Sequence, residues 1–279
     1  MAINIYGKLR VKGVNSGGGG LTPSYLLDTY GGAAAAYSAA RRLSSTYSGP
    51  LLRVRRSSDN AEANIGFDGS GNLDEAALTT FVGAGNGFVT TWYDQSGNAR
   101  NSIQSTAANQ PQIVSSGSIL KENSKPIIYF DGTDSLNLPS NIDYSNVNSS
   151  FFITYKKTST GNNAVFLGAG GFYLWLNYGS TQYYGNTSVS DSSFNVANEY
   201  MLVSATMNYN VSLKWYKNNI LKQTVTSGFA GPIYISNILG RTYTSIPVYT
   251  NEIIIYPSNQ DSNANGIDTN INTFYSIYP

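Results

Sequence analysis

Residues 199–223, EYMLVSATMNYNVSLKWYKNNILKQ, read as three strands in succession, near 199–207, 211–217 and 220–226. Asn218-Asn219 separates the last two, and a two-residue hairpin turn needs positive φ, which asparagine tolerates better than most side chains. Working outward, short strands recur near 126–130, 151–156, 164–167, 172–177, 181–184, 233–238 and 248–256, parted by Gly, Asn, Ser and Pro. Many short strands so punctuated predict an all-β sandwich. The first half adds strands at 51–56, followed by the turn residues SSDN, and at 88–93, running into the polar turn DQSGN.

Three stretches read as helix. Ala33, Tyr37, Ala40, Leu43 and Tyr47 recur at spacings of three and four, so an alanine-rich helix is expected over 33–46, with Arg41 and Arg42 beside its packing face. A short helix is expected over 74–82. Near the end, Ile267, Ile271, Phe274, Tyr275 and Tyr278 mark an amphipathic helix after the capping candidates Asp261 and Ser262. At the start, Ile3 and Ile5, then Leu9 and Val11, alternate with polar neighbours, and Tyr6 lies between them. Gly17 to Gly20 then form a run with no side chain to offer a core. The reading is an anchoring or oligomerisation arm with its linker, residues 1–20, and one sandwich, residues 21–279; a disordered terminus is the other reading of the same residues.

A chain of 279 residues with 41% hydrophobic and only 12% charged residues has a core but must owe its solubility to uncharged polar groups. Seventeen basic against sixteen acidic residues leave +1, which draws in neither nucleic acid nor an anionic membrane. Cysteine and histidine are both missing. That excludes disulfides, thiolate chemistry, imidazole metal sites and histidine-dependent triads. Carboxylate, hydroxyl, amide, guanidinium and aromatic chemistry remain, which suits carbohydrate recognition or, at most, glycoside hydrolysis by paired carboxylates. No export signal or membrane span is visible at the sequence level, so synthesis as a soluble protein in the cytoplasm is expected.

Two blocks resemble known families. AAAAYSAARRLSSTYSGPLLRVRRSSDNAEANIGF (33–67), LDEAALTTFVG (73–83) and FVTTWYDQSGNARNSIQSTAANQPQIV (88–114) resemble the N-terminal part of the catalytic domain of fungal arabinofuranosidase B enzymes. The same block is similar to modules in virion proteins of tailed phages of Bacteroidetes. EYMLVSATMNYNVSLKWYKNNILKQ, with ISNILGR (235–241) and YTNEIIIY (249–256), resembles the laminin-G-like hallmark. Together they imply a concanavalin A-like jelly roll with one helix in its N-terminal half and one at its C-terminus. The resemblance breaks where the enzymes hold their nucleophile and acid: the corresponding stretches look like FYLWLNYGS (172–180) and ILGRTYTSIPVY (238–249), which contain no carboxylate. The family's vicinal cysteines are missing as well. No catalytic residue is therefore expected, and Glu199 and Glu252 are read as scaffold.

The candidate glycan-binding residues are Tyr173, Trp175, Asn177, Tyr178 and Tyr183, aromatics and an amide in the strands where the resembling enzymes hold their sugar; core packing and a subunit interface are the competing reading of the same residues. Asp94 and Asn98 offer oxygens to a calcium ion, or form an Asx-type turn. Calcium is the one cofactor considered. Arg53, Arg55 and Arg56 either read an acidic sugar or pair structurally, one of them with Asp94 or Asp59. The resemblance implies a virion structural protein, a head fibre, decoration or tail-associated subunit assembled in the host cytoplasm. Its partners would be other virion proteins, bound through the arm residues Ile3, Ile5, Tyr6, Leu9 and Val11, further copies of itself as dimer or trimer, and cell-surface polysaccharide. An arabinofuranosidase-like hydrolase and a stand-alone carbohydrate-binding module are the alternatives.

Overall fold

The hairpin spelled by Asn218-Asn219 forms as read: Ser212–Lys217 and Ile220–Val225 pair antiparallel, and the two asparagines take φ of 51° and 63°. The computed structural model describes residues 25–144, 147–160, 164–169, 172–178, 181–184, 187–226, 234–238 and 246–279; between 161 and 189, and at Tyr234, it describes backbone only. The arm at 1–20, with Ile3, Ile5, Tyr6, Leu9 and Val11, lies outside the described residues.

The strands form two layers, antiparallel throughout. The first runs Ala35–Ser38, Val248–Tyr256, Ser149–Lys157, Tyr200–Asn208, Ser212–Lys217, Ile220–Val225. Ile128–Phe130 extends it beside Val248–Tyr256. The second runs Glu62–Ile65, Leu52–Arg56, Gly87–Trp92, Ser102–Ile103, Leu136–Asp143, Tyr234–Ile238, Ala164–Ala169, Phe172–Tyr178, Thr181–Tyr184, Thr187–Ser190. Gln112–Ser115 pairs with both Gly87–Trp92 and Ile128–Phe130, so it joins the layers.

Strand alternation decides what each face of the first layer buries. Phe151, Ile153, Tyr155, Met201, Val203, Ile253 and Ile255 pack toward the second layer, where they meet Leu52, Val54, Val89, Trp92 and Leu136. Their neighbours Phe152, Leu202 and Ile254 face the other way and pack with Ile267, Ile271 and Tyr275 of the C-terminal helix, Ala264–Tyr275. The central strands Ser149–Lys157, Tyr200–Asn208 and Val248–Tyr256 are thus buried on both faces. Stretches such as MLVSA at 201–205 and IIIY at 253–256 read as hydrophobic runs for that reason, whereas Ser212–Lys217 at the layer's outer part alternates.

The expected helix over 33–46 is replaced by the strand Ala35–Ser38, paired with Val248–Tyr256 through Ala35↔Ile255 and Tyr37↔Ile253. Ala33 to Ala40 are all buried, with Ala35, Tyr37 and Ala39 in one core and Ala36 and Ala40 in the other. Burial on both sides favours side chains small enough to admit neighbours at close range, and this outweighs the helix propensity of alanine, a few tenths of a kcal/mol per residue. A four-residue helix, Leu26–Thr29, precedes the strand. The helix expected over 74–82 is Glu75–Val82, capped by Asp74, whose side chain accepts from the Ala77 amide at 2.9 Å. Asp261 is not a cap: its carboxylate accepts from Lys214, Tyr216 and Thr206, and Asn263 occupies the N-cap position.

Candidate functional site

Four arrangements carry chemistry. The first is a buried ion pair that closes the fold. Arg41, just beyond the first strand, donates through Nε and Nη2 to both oxygens of Glu252, at 2.8 and 2.6 Å. Tyr275 Oη donates to the same carboxylate at 2.9 Å and contacts Ser38 Oγ at 3.0 Å, while Arg41 Nη1 donates to Asn270. Burial works against the charge of Arg41, and Glu252 more than offsets it, holding the guanidinium pKa above its usual value. Burial, with the Glu252 charge second, pushes the Tyr275 hydroxyl well up. Glu252 is fully buried and both its oxygens accept from fixed donors, which ties the strand Val248–Tyr256 to Arg41 and to the C-terminal helix.

The second is the polar turn at 94–101. Asp94 Oδ1 accepts from the amides of Ala36 and Ser96, each at 2.9 Å; Oδ2 accepts from Ser96 Oγ at 2.8 Å and the Arg100 amide at 3.0 Å. Asn98 donates its amide nitrogen to the carbonyls of Ala33 and Ala34. Both residues therefore tie the turn to residues 33–36, as an Asx-type turn does. Among the described residues no group of three or more acidic side chains is placed to hold a metal ion. The three nearby arginines take separate partners: Arg56 grips Asp59 bidentately at 2.8 and 2.7 Å, Arg53 pairs with Glu62 at 2.6 Å, and Arg55 donates to Gln110 and Asn60. The structural reading holds for all three, and Asp94 is not among their partners.

The third is the outer part of the second layer. Phe172–Tyr178 and Thr181–Tyr184 form adjacent antiparallel strands, with Trp175 opposite Tyr183 on one side and Val165 on the other. This brings the stretches holding Tyr173, Trp175, Asn177, Tyr178 and Tyr183 together in one sheet. Their side chains lie outside the described residues.

The fourth went unread in the sequence. Lys157 and Lys217 are both buried at the ends of their strands, Lys157 fully, under the loop 191–199 that connects the two layers. Lys217 Nζ donates to Glu199 at 2.8 Å and to the Ser193 carbonyl at 2.5 Å, and Lys157 Nζ donates to Asn195 Oδ1. Burial, with Lys217 adding to it, lowers the Lys157 pKa to about 8. Glu199 is thus the counter-charge of Lys217.

Two antiparallel layers with a helix packed on one of them define a concanavalin A-like β-sandwich. The chain belongs to the family "Alpha-L-arabinofuranosidase B, catalytic", whose sequence profile matches residues 28–191, more than half of its length. The probable α-L-arabinofuranosidase B of Aspergillus clavatus is 42% identical over 71 residues, 25% of this chain and 14% of that enzyme. Its counterpart in Aspergillus fumigatus is 41% identical over 71 residues, again 14% of the enzyme's length. Among solved structures, a GH54 α-L-arabinofuranosidase soaked with a cyclic sulfate inhibitor superposes with a TM-score of 0.64 at 15% identity, covering 86% of this chain and 62% of that one. An arabinofuranosidase complexed with arabinofuranosyl-α-1,2-xylobiose gives 0.58 at 15% identity over the same shares. At such identity the superpositions speak for the fold alone. The chain spans less than two thirds of these relatives.

Proposed function

We propose that the chain is a glycan-binding sandwich that does not hydrolyse its ligand. The distribution of carboxylates carries this reading. All sixteen Asp and Glu residues are among those described, and none lies between 144 and 190 or between 200 and 251. The strands Ala164–Ala169, Phe172–Tyr178, Thr181–Tyr184, Thr187–Ser190 and Tyr234–Ile238 therefore have no carboxylate to contribute. A retaining glycosidase needs two such groups about 5 Å apart, and an inverting one needs them about 6.5–9.5 Å apart. Aromatic and amide groups in those strands suit stacking on a sugar ring and hydrogen bonding to its hydroxyls.

Two carboxylates do meet in the turn 131–134, and their pKa values are driven apart. Burial, with the Asp131 charge adding to it, raises Asp134 to about 6; Asp131 is lowered, its own burial being outweighed by donors from Thr133. Such splitting can mark an acid–base pair. Here the turn uses both groups: Asp131 Oδ1 accepts from the Thr133 amide at 2.7 Å and its hydroxyl at 2.8 Å, and Asp134 Oδ2 accepts from the Asp131 amide at 2.9 Å. Both carboxylates lie in one four-residue turn and accept from its own amides, an arrangement that serves the turn rather than flanking a glycosidic bond.

The test pairs a turnover assay with a binding assay. No hydrolysis of an aryl α-L-arabinofuranoside is expected, whereas arabino-oligosaccharides should bind by calorimetry and lose about tenfold or more with Trp175→Ala, the worth of roughly one stacked ring. Turnover abolished by Asp134→Asn would overturn the proposal, as would undiminished binding by a folded Trp175→Ala protein. A second reading, display of the sandwich on a virus particle, has its support in the glycine run Gly17 to Gly20 between the alternating residues 3–14 and the body, and in the sequence resemblance. Mass spectrometry of purified particles that found no such chain would remove it.

A further inference from the structure

Among the described residues, Lys157 is a fully buried cation with no carboxylate in contact. It ends the strand in which Phe151, Ile153 and Tyr155 face the inter-layer core, so alternation directs it into the same space. Lys217 follows Leu213 and Trp215 into that space from the other side of Tyr200–Asn208. The groups facing them are Glu199, Asn195 and Ser193 from the loop 191–199, with Asp191 at its start and Lys222 beyond. Glu199 balances Lys217. Among the described residues no carboxylate reaches Lys157, whose acceptor is the neutral amide of Asn195. Glu199 is hydrogen-bonded to Lys217 and Asp191 interacts with Lys217 and Lys222 through its charge, so Lys157 is left without a carboxylate in contact, and buried charges are ordinarily paired. Ser193 Oγ is also buried in this loop with no partner.

The way in is short. Asn195, which accepts from the Lys157 ammonium, is itself half-buried, and the Glu199 side chain that accepts from Lys217 is 33% exposed. An amide oxygen on an ammonium occupies the position that a carboxylate or sulfate oxygen would take with a stronger, charge-assisted bond. We propose that Lys157 and Lys217 form an anion subsite that receives the carboxylate or sulfate of an acidic sugar, which displaces the Asn195 amide. The sugar rests on the glycan-binding reading above; the anion rests on the lysine pair alone.

Calorimetric titration with oligogalacturonate, a sulfated oligosaccharide, a neutral arabino-oligosaccharide and sodium sulfate tests both parts. At least one acidic glycan should bind, with affinity falling as salt rises and as the pH passes about 8, where Lys157 loses its proton. Lys157→Met should weaken that binding by about tenfold or more, as truncating a buried charged partner does, whereas Lys157→Arg should keep most of it and neutral glycan binding should not change. If Lys157→Met fails to fold, NMR titration of the Lys157 ammonium in the unaltered protein replaces it: its pKa must rise when the acidic glycan is added. Neutral glycan bound with no acidic one refutes the subsite and leaves the glycan reading standing. Sodium sulfate bound as tightly as the sugars refutes the acidic-sugar assignment. No glycan bound at all sinks both.

Discussion

Replacing Asp268 by Asn should make the protein more stable at pH 8 and remove most of its pH dependence between pH 5 and 8. Asp268 lies on the inner face of the C-terminal helix and is fully buried among Leu202, Ile267 and Ile271. Ser204 Oγ donates to its Oδ2 at 3.0 Å, and Oδ1 has no partner. Burial raises its pKa from 3.8 to about 7, with the Ser204 hydrogen bond working in the opposite direction. For an acid raised on folding, the folded state holds a proton that the unfolded chain releases. Stability is therefore greatest below 3.8 and falls as pH rises toward 7, above which the loss is complete. The distance from 3.8 to about 7, at 1.36 kcal/mol per pH unit, sets the ceiling at about 4 kcal/mol. A chain of this size would show that as a fall in Tm on the order of 10 °C. Asp134, raised to about 6, adds slope of the same sign at the lower end, so the quantity to measure is the difference between the two proteins. Thermal melts of both at half-unit steps from pH 5 to 8.5 decide it. Parallel curves would refute the reasoning, as would an Asn variant less stable than the parent at pH 8.

Breaking the Arg41–Glu252 pair from one side, by Glu252→Gln or Arg41→Met, should cost about 3–5 kcal/mol in chemical denaturation, because the remaining charge is left buried. The double variant should cost less than the sum of the singles, and strict additivity would show that the two side chains are not coupled. Asp94→Ala should lower Tm by several degrees through the lost turn, while millimolar calcium or a chelator should leave the parent's Tm unchanged; a calcium-dependent rise would restore the metal reading of Asp94 and Asn98.

What the sequence disclosed follows the range of the interactions. The hairpin at Asn218-Asn219 and the helix expected over 74–82 are set by neighbours within a few residues, and both form where local rules place them. Arg56 and Asp59, three residues apart, could be paired on paper. Arg41 and Glu252 could not, because 211 residues separate them and only the pairing of Ala35–Ser38 with Val248–Tyr256 brings them together. The same long-range packing misled the reading of 33–46: the spacing of Ala33, Tyr37, Ala40 and Leu43 does mark a buried set, but one divided between two cores. Lys157 and Lys217 carry no motif at all. Each is a lysine at a strand end, a common position for a solvated charge, and what buries them is a loop arriving from the other layer.

The stretch that matches the family profile is not the unit that folds. Residues 28–191 include the Asp94 turn and Arg41, but the first strand finds its hydrogen-bonding partner at 252–255. Ser149–Lys157 is held between Tyr200–Asn208 and Val248–Tyr256, both beyond the match, and the C-terminal helix covers the face that Phe152 shares with Leu202 and Ile254. The resemblance to the enzymes is thus concentrated in a segment whose stability depends on strands that have diverged in sequence. Those strands must keep shape and polarity, which β-branched and aromatic residues can do in many combinations. They need not keep a carboxylate, because Glu252 supplies the one that the lock with Arg41 and Tyr275 requires. The fold therefore asks for no carboxylate between 144 and 190 or between 200 and 251, and the sequence places none there.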